Sequence, residues 1–349
     1  MSSSLDFSGL QSTGRQFVDE GLPACQIAVA RDREVVMFET FGDATNNTRF
    51  RVASATKPIV ASAVLQLIGD GQLDISARVA DYIPEFGTNG KDVVTVEQLM
   101  VFSCGFPRAP MPSRDGADGA RRLARFSEWE LEWEPGTRFE YHPACAHWVM
   151  AELIERLGGV TFCDFIEQRV TEPLGLPRLL GFAAGQQGDI AGLTNPDGTR
   201  VENVDPGPIP DADRLAMIEV GAPGGGGVMT AASLALFYQG LLHNPDALWK
   251  PDVLADATTN IRNSFLEPTY NLPANRTIGC LVIGNGFASQ WVKQPNAYGH
   301  PGAGGQFGYA DPDTGLSVAF AQRSQPGDTP DGSFRRAHAI AREAYPLGR

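Results

Sequence analysis

The sequence predicts an α+β fold: an antiparallel sheet flanked by helices and built from both ends of the chain, with a mostly helical lobe inserted between the two halves. Three observations lead there. Strand-like alternation marks one hairpin near the N-terminus, "ACQIAVARDREVVMFET" at 24–40, and a second near the C-terminus, "FGYADPDTGLSVAFAQ" at 307–322. The region between them carries helical spacing instead, as in "AHWVMAELIERLGG" at 146–159 and "TAASLALFYQGLLHN" at 230–244. Connections rich in glycine and proline separate these helical stretches.

Taken in order, the first hairpin turns at the polar "RDRE", residues 31–34. The next element is fixed by "ASATKP" at 53–58. Proline lacks an N–H and its ring collides with the carbonyl four residues earlier, so Pro58 belongs to a first turn and the helix starts near Ser54. "IVASAVLQLIGDG" continues it as an apolar, buried helix that stops at the glycines. Thr230 is a natural N-cap for the helix behind it. Asp311, Pro312, Asp313 and Gly315 supply the turn of the C-terminal hairpin, and "SFRRAHAIAREAY" after it is helical in spacing. This divides the chain into a discontinuous sheet domain, 1–70 with 275–349, and a mostly helical domain, 71–274. An active site is expected in the cleft between them.

Hydrophobic residues make up 42% of the chain and charged residues 20%, the profile of a soluble globular protein. The net charge of -13, with no basic run, argues against nucleic acid and against an anionic membrane surface. No stretch is long and apolar enough to span a bilayer, and the opening "MSSSLDFSGLQSTGRQF" lacks the charged leader and apolar block of a secretory signal. Five cysteines, widely spread and without a CxxC pair, suit free thiols in a reducing compartment. The expectation is a cytoplasmic protein.

Chemistry enters with Ser54 and Lys57. A serine at a helix start sits beside unpaired N–H groups and the positive end of the macrodipole, and Lys57 three residues on shares its face. A partly desolvated amine there can take the serine proton or stabilise the alkoxide. The plain alternative is a helix cap beside a solvated lysine. With 17 serines and four lysines, chance gives roughly 0.2 such pairs, so spacing alone leaves both readings open.

Further segments occur in an order that resembles the serine β-lactamase and penicillin-binding-protein superfamily: "TRFRVASATKPIVASAVLQLIGDGQLD", "VTVEQLMVFSCGFP", "EPGTRFEYHP", "GAPGGGGVMTAASLALFYQGLL" and "YGHPGAGG". The chain is similar above all to class C β-lactamases and to the esterases of that fold, the family VIII type, from about residue 16 to the C-terminus. The resemblance implies Ser54 as acylated nucleophile, Lys57 as its partner in the SxxK motif, and Tyr141 as the tyrosine that serves as general base and then as acid for the leaving group. It places His300, Pro301 and Gly302 where relatives carry Lys-Thr-Gly or His-x-Gly, and implies that the N–H groups of Ser54 and Ala303 form an oxyanion hole. A tyrosine, ordinarily titrating near 10, becomes a useful base at neutral pH only beside positive charge, which Lys57 and the helix terminus supply.

Two departures bear on substrate. Relatives of the β-lactamase type have Tyr-x-Asn, its amide binding the antibiotic, whereas Tyr141-His142-Pro143 stands here, leaving His142 or His147 as candidates for the vacant polar position and scaffold roles as their alternative. A histidine at 300, largely neutral at pH 7, replaces the lysine that holds the β-lactam carboxylate. Both fit a neutral ester better. "FSCG" at 102–105 reads as a buried turn, and Cys104 or Cys145 as a nucleophile lacks an electropositive setting.

Other chemistries leave no trace. There is no GxSxG, HExxH or CxxC, "DPDTG" lacks the later glutamate of a calcium loop, and neither "GAPGGGG" nor "GAGGQFG" has phosphate-loop spacing. The sequence therefore reads as a serine hydrolase without metal or cofactor, acting through an acyl-enzyme on a small-molecule carboxylic ester. A β-lactamase, an amidase or D-aminopeptidase, an acyltransferase, and a non-catalytic penicillin-binding-like sensor are the competing readings.

Overall fold

The computed structural model describes residues 5–191, 211–323 and 330–349. Helix α1, Ser8–Asp19, precedes strands β1, Ala24–Arg31, and β2, Glu34–Gly42. Then come β3, Phe50–Arg51, a 3₁₀ turn at Ala53–Thr56, and helix α2, Lys57–Gly69. Helix α3 spans Cys145–Gly158, β4 is Val228–Met229 and α4 is Ala231–His243. The short strands β5, Leu266–Glu267, β6, Leu272–Pro273, and β7, Leu281–Val282, lead to β8, Tyr298–Gly302, β9, Gln306–Asp311, β10, Leu316–Arg323, and helix α5, Pro330–Ala344.

Six of these strands form one antiparallel sheet in the order β2-β1-β10-β9-β8-β7. Its centre joins the chain ends, with Ala28 of β1 opposite Ala319 of β10. The N-terminal hairpin turns through Asp32 and Arg33, both left-handed at φ 52° and 67°, as a two-residue hairpin loop requires. Side-chain size sorts the two faces. Cys25, Ile27, Val29, Leu316, Val318 and Phe320 point one way, into the cluster made with α1 and α5. Ala24, Ala28, Ala30, Ala319 and Ala321 point the other way, and these small residues admit α4 close against the strands. With both faces covered, β1 and β10 are buried along nearly their whole length.

Between the sheet strands lies mostly helix, as the spacing predicts. The residues of α2 from Lys57 to Leu67 are all buried, so this helix runs through the interior, packed on α3. Thr230 caps α4 by accepting from Ser233 N. The two-residue ladder of β3 with β4 ties the segment before Ser54 to the glycine-rich run at 223–227. The opening read only as lacking a leader contains α1, whose Leu10 and Phe17 pack on the sheet. Among the described residues, no helix is long and apolar enough to cross a membrane.

Candidate active site

Ser54 lies in the 3₁₀ turn that feeds α2 and is half-buried, while its neighbours Ala53, Ala55, Thr56 and Lys57 are buried. The turn is over-determined. Thr56 Oγ1 donates to Ala53 O at 2.6 Å and accepts from Gly227 N at 2.9 Å, and Val52 N donates to Gly227 O at 3.0 Å. These bonds hold Ala53 at φ 46°, a left-handed conformation that a non-glycine residue adopts only at a cost of about 1–2 kcal/mol. Pro58 sits in the first turn of α2, which places Lys57 at the helix start with its side chain beside the serine.

The Lys57 amine has three neighbours within bonding reach. It donates to Pro143 O at 2.7 Å and to Gly224 O at 2.6 Å, and Ser54 Oγ lies 3.4 Å away. Two of its valences are therefore committed to main-chain carbonyls and the third faces the serine. Burial holds Lys57 below the ordinary lysine range, against the opposing influence of Tyr141, and Arg276 adds to the depression. Position 143, where the resembling pattern has a side-chain amide, contributes its carbonyl instead. Gly224 makes the approach possible, since a Cβ there would stand 2.6 Å from Pro143 O.

Tyr141 closes the group. Lys57 Nζ stands 5.0 Å from its ring centroid, and its ring meets Phe102 edge-on at 5.4 Å and His300 at 6.1 Å. Its Oη is buried and has no hydrogen-bond partner among the described residues. Strand β8 lies beside the serine turn because position 302 is glycine, whose Cβ would fall 2.2 Å from Val52 O. Ala303 follows at the exposed turn after β8. Ser54, Lys57, Tyr141, His300, Gly302 and Ala303 thus converge on one place.

His142 is elsewhere. Its ring is fully buried, with Nδ1 bonded to Glu140 O at 2.7 Å and Nε2 accepting from Phe106 N at 3.2 Å, beside Cys104 Sγ at 3.3 Å. Nδ1 is spent on Glu140 and Nε2 on the loop at 102–106, and burial brings the imidazole down to about 3. The expectation that it takes substrate is corrected: the ring lies in the interior, where both of its nitrogens already have main-chain partners. His147 is also buried, packed edge-on to Phe102 at 5.7 Å, and burial followed by Lys57 holds it well below the usual range. Its Nδ1 has no partner among the described residues. Cys104 and Cys145 are buried thiols, raised by burial well above the ordinary range for Cys104 and to about 12 for Cys145.

The sequence reading missed Arg276. Its guanidinium is buried, lies 4.1 Å over the Phe102 ring and 5.6 Å from the Tyr141 centroid, and Nη2 donates to Nε2 of His300 at 3.1 Å. His300 Nδ1 is bonded to Pro301 O at 2.6 Å. Burial, Arg276 and Lys57 keep this imidazole neutral, well below its ordinary range. So the site lacks a lysine at 300 without lacking a fixed cation, and the argument from a missing charge to a neutral substrate loses its footing. One signal was available: from Pro268 to Ala310 the sequence contains no Asp or Glu, so an arginine in that stretch has no local counter-ion.

A family model described as Beta-lactamase matches residues 10–342. The chain belongs to the beta-lactamase family. Its fold is accordingly that of β-lactamases and transpeptidases, and its relatives in this family are serine hydrolases. Among solved structures, a penicillin-binding protein homolog from Caulobacter crescentus is 26% identical with a TM-score of 0.79, over 97% of this chain and 96% of that one. A family VIII carboxylesterase shares the fold at 23% identity and a TM-score of 0.78, over 97% of each chain. A protein named "Putative D-alanyl-D-alanine carboxypeptidase" from Escherichia coli (strain K12) is 26% identical over 206 residues, 49% of this chain and 47% of its own length. The chain thus spans about half the length of the curated relatives it matches.

Proposed function

We propose that this member of the beta-lactamase family hydrolyses carboxylic esters of small molecules through an acyl-enzyme on Ser54. The observation that carries the reading is the seating of Lys57: with two N–H groups held by Pro143 O and Gly224 O, an uncharged amine has its lone pair left for the Ser54 hydroxyl. As Ser54 Oγ bonds to the ester carbonyl carbon, its proton passes to Lys57 Nζ and the carbonyl oxygen becomes an oxyanion. The N–H groups of Ser54 and Ala303 are the donors for that oxygen. The tetrahedral carbon then expels the alcohol oxygen, which takes a proton from the Lys57–Tyr141 pair. Water attacks the acyl-serine along the reverse path, giving the carboxylic acid and restoring Ser54.

Tyr141 supports this reading by position: its ring lies 5.0 Å from Lys57 Nζ, it raises that amine's proton affinity, and its oxygen is buried. A cleft between a sheet-bearing and a helical lobe would supply the acyl and alcohol pockets, and the similarity to a carboxylesterase of family VIII supports the ester over other acyl donors. Mass spectrometry after fluorophosphonate treatment should place the label on Ser54, and Ser54→Ala should abolish turnover of a short-chain nitrophenyl ester. An unlabelled Ser54 with full turnover by the alanine variant would refute the assignment. Faster turnover of a chromogenic cephalosporin than of the ester would make this a β-lactamase instead.

A further inference from the structure

Arg276 is anomalous. Among the described residues the buried Arg122 is paired with Glu152 and Glu155, and the buried Lys57 and Lys91 are bonded to main-chain carbonyls. Arg276 forms no ion pair among the described residues, and its Nε is buried without a hydrogen-bond partner. What holds it is an aromatic face and an imidazole. The face belongs to Phe102, which is itself left-handed at φ 60°, a conformation that bulky residues rarely keep without a local reason. That backbone bend turns the ring under the guanidinium while it stacks on His142 and meets Tyr141 and His147 edge-to-face. The imidazole is His300, whose Nδ1 bond to Pro301 O leaves Nε2 as an acceptor for Arg276 Nη2.

We propose that Arg276 is a positioning residue of the catalytic centre: laid on Phe102, 5.6 Å from the Tyr141 ring and anchored by His300, its guanidinium keeps the Lys57 amine free to take the Ser54 proton. The inference rests on the reading above that Lys57 is the proton acceptor. It gives His300 a role as well, which is to hold Arg276 rather than to bind substrate. Burial brings Arg276 down only to about 10, so it is a cation at neutral pH. The groups that face Lys57 are Tyr141 and His142 from the chain leading into α3, Cys145 and His147 in its first turn, Arg276, and His300 on β8. Of these, Arg276 presses Lys57 away from its ammonium form and Tyr141 opposes it. Removing the guanidinium therefore lets Lys57 keep its proton to higher pH.

The test is the pH dependence of kcat/KM from pH 5.5 to 10 for the wild type, Arg276→Gln, Arg276→Lys and Phe102→Leu. Each is assayed on a neutral short-chain nitrophenyl ester and on a matched ester bearing a carboxylate, with thermal melts to confirm folding. Glutamine keeps a donor for His300 and removes the charge. Its rising limb should move up by about one pH unit, giving about a tenfold loss at neutral pH that is recovered above the limb, equally on both esters. Lysine should keep the wild-type limb, and Phe102→Leu should move it in the same direction by less. A loss of the same factor at every pH would make Arg276 a structural prop, and a loss confined to the carboxylate ester would make it a substrate anchor; either overturns the inference. If Arg276→Gln does not fold, an unshifted limb in Phe102→Leu overturns it. If the wild type labels at Ser54 while its variants give any of the overturning results, this inference falls and the hydrolase reading stands.

Discussion

Gly224→Ala tests the seating of Lys57 without replacing a reacting group. The added Cβ would lie 2.6 Å from Pro143 O and 3.5 Å from Lys57 Nζ, where ordinary contact begins at 3.4 Å. Relieving the first contact requires about 0.8 Å of movement between two stretches of backbone, the difference between 3.4 and 2.6 Å. If the Pro143 carbonyl gives way, its 2.7 Å bond from Lys57 opens to about 3.5 Å and is lost as a hydrogen bond. In the transition state the amine is becoming an ammonium, so that bond is charge-assisted and contributes about 1.5–3 kcal/mol. At about 1.4 kcal/mol per decade, kcat/KM should fall roughly 10- to 100-fold. The strain should cost about 1–3 kcal/mol of stability, leaving the protein folded at room temperature. The assay is steady-state hydrolysis of a nitrophenyl ester together with the rate of fluorophosphonate labelling at Ser54, and both should fall by the same factor. Gly185→Ala is the control, because no atom lies within 4 Å of its added Cβ. A folded Gly224→Ala enzyme within twofold of wild type on both measures would refute the claim that the Pro143 and Gly224 carbonyls orient the base.

Stability should fall with acid. His142, His147 and His300 are held below the ordinary imidazole range by burial, His142 to about 3, so the unfolded chain binds protons that the folded one cannot. Their contribution is nil above pH about 6.5 and destabilising below it, by about 1.4 kcal/mol per pH unit for each, or roughly 4 kcal/mol per unit for the three. Urea denaturation at pH 7, 6 and 5 should show this loss, and a flat profile would mean that these rings are not buried in solution. Ester hydrolysis should rise from mildly acidic towards alkaline pH as Lys57 loses its proton, and a maximum near pH 5 would exclude it as the base. Far from the site, Arg122→Met should cost about 1–3 kcal/mol in thermal or chemical denaturation, because the buried Glu152 loses one of its two arginine partners and keeps only Arg156. The double variant Arg122→Met with Glu152→Met should cost less than the sum of its single changes.

Much of the fold was legible because local signals and packing agree. The hairpins at 24–42 and 306–323 are rich in strand formers with large and small residues alternating along β1 and β10, their turns include Asp, Pro and Gly, and Pro58 could stand only in a first turn. Of the site, Ser54, Lys57 and Tyr141 were found through motif order, and the structure brings them together with the end of β8. His142 was misplaced because its neighbour in sequence, Tyr141, faces the amine while its own ring is turned into the loop at 102–106, a choice made by Cys104 and Phe106 and by no adjacent residue. Phe102 was read as part of a buried turn, which it is, but nothing local announces that its ring carries a cation.

The sequence by itself determined the antiparallel sheet built from two chain ends, the buried helix behind Ser54, and the serine–lysine pair on one helical face, because each depends on periodicity or on a steric rule within a few residues. Tertiary structure alone decided the surroundings of that pair. Pro143 and Gly224 reach Lys57 from 86 and 167 residues away, and Arg276 meets His300 from 24 residues away and Phe102 from the far helical part of the chain. The reason is physical: electrostatics and hydrogen bonding act through space over a few ångströms, so the charge state of an amine is set by whatever the fold packs against it, and that company is written in no single stretch of sequence.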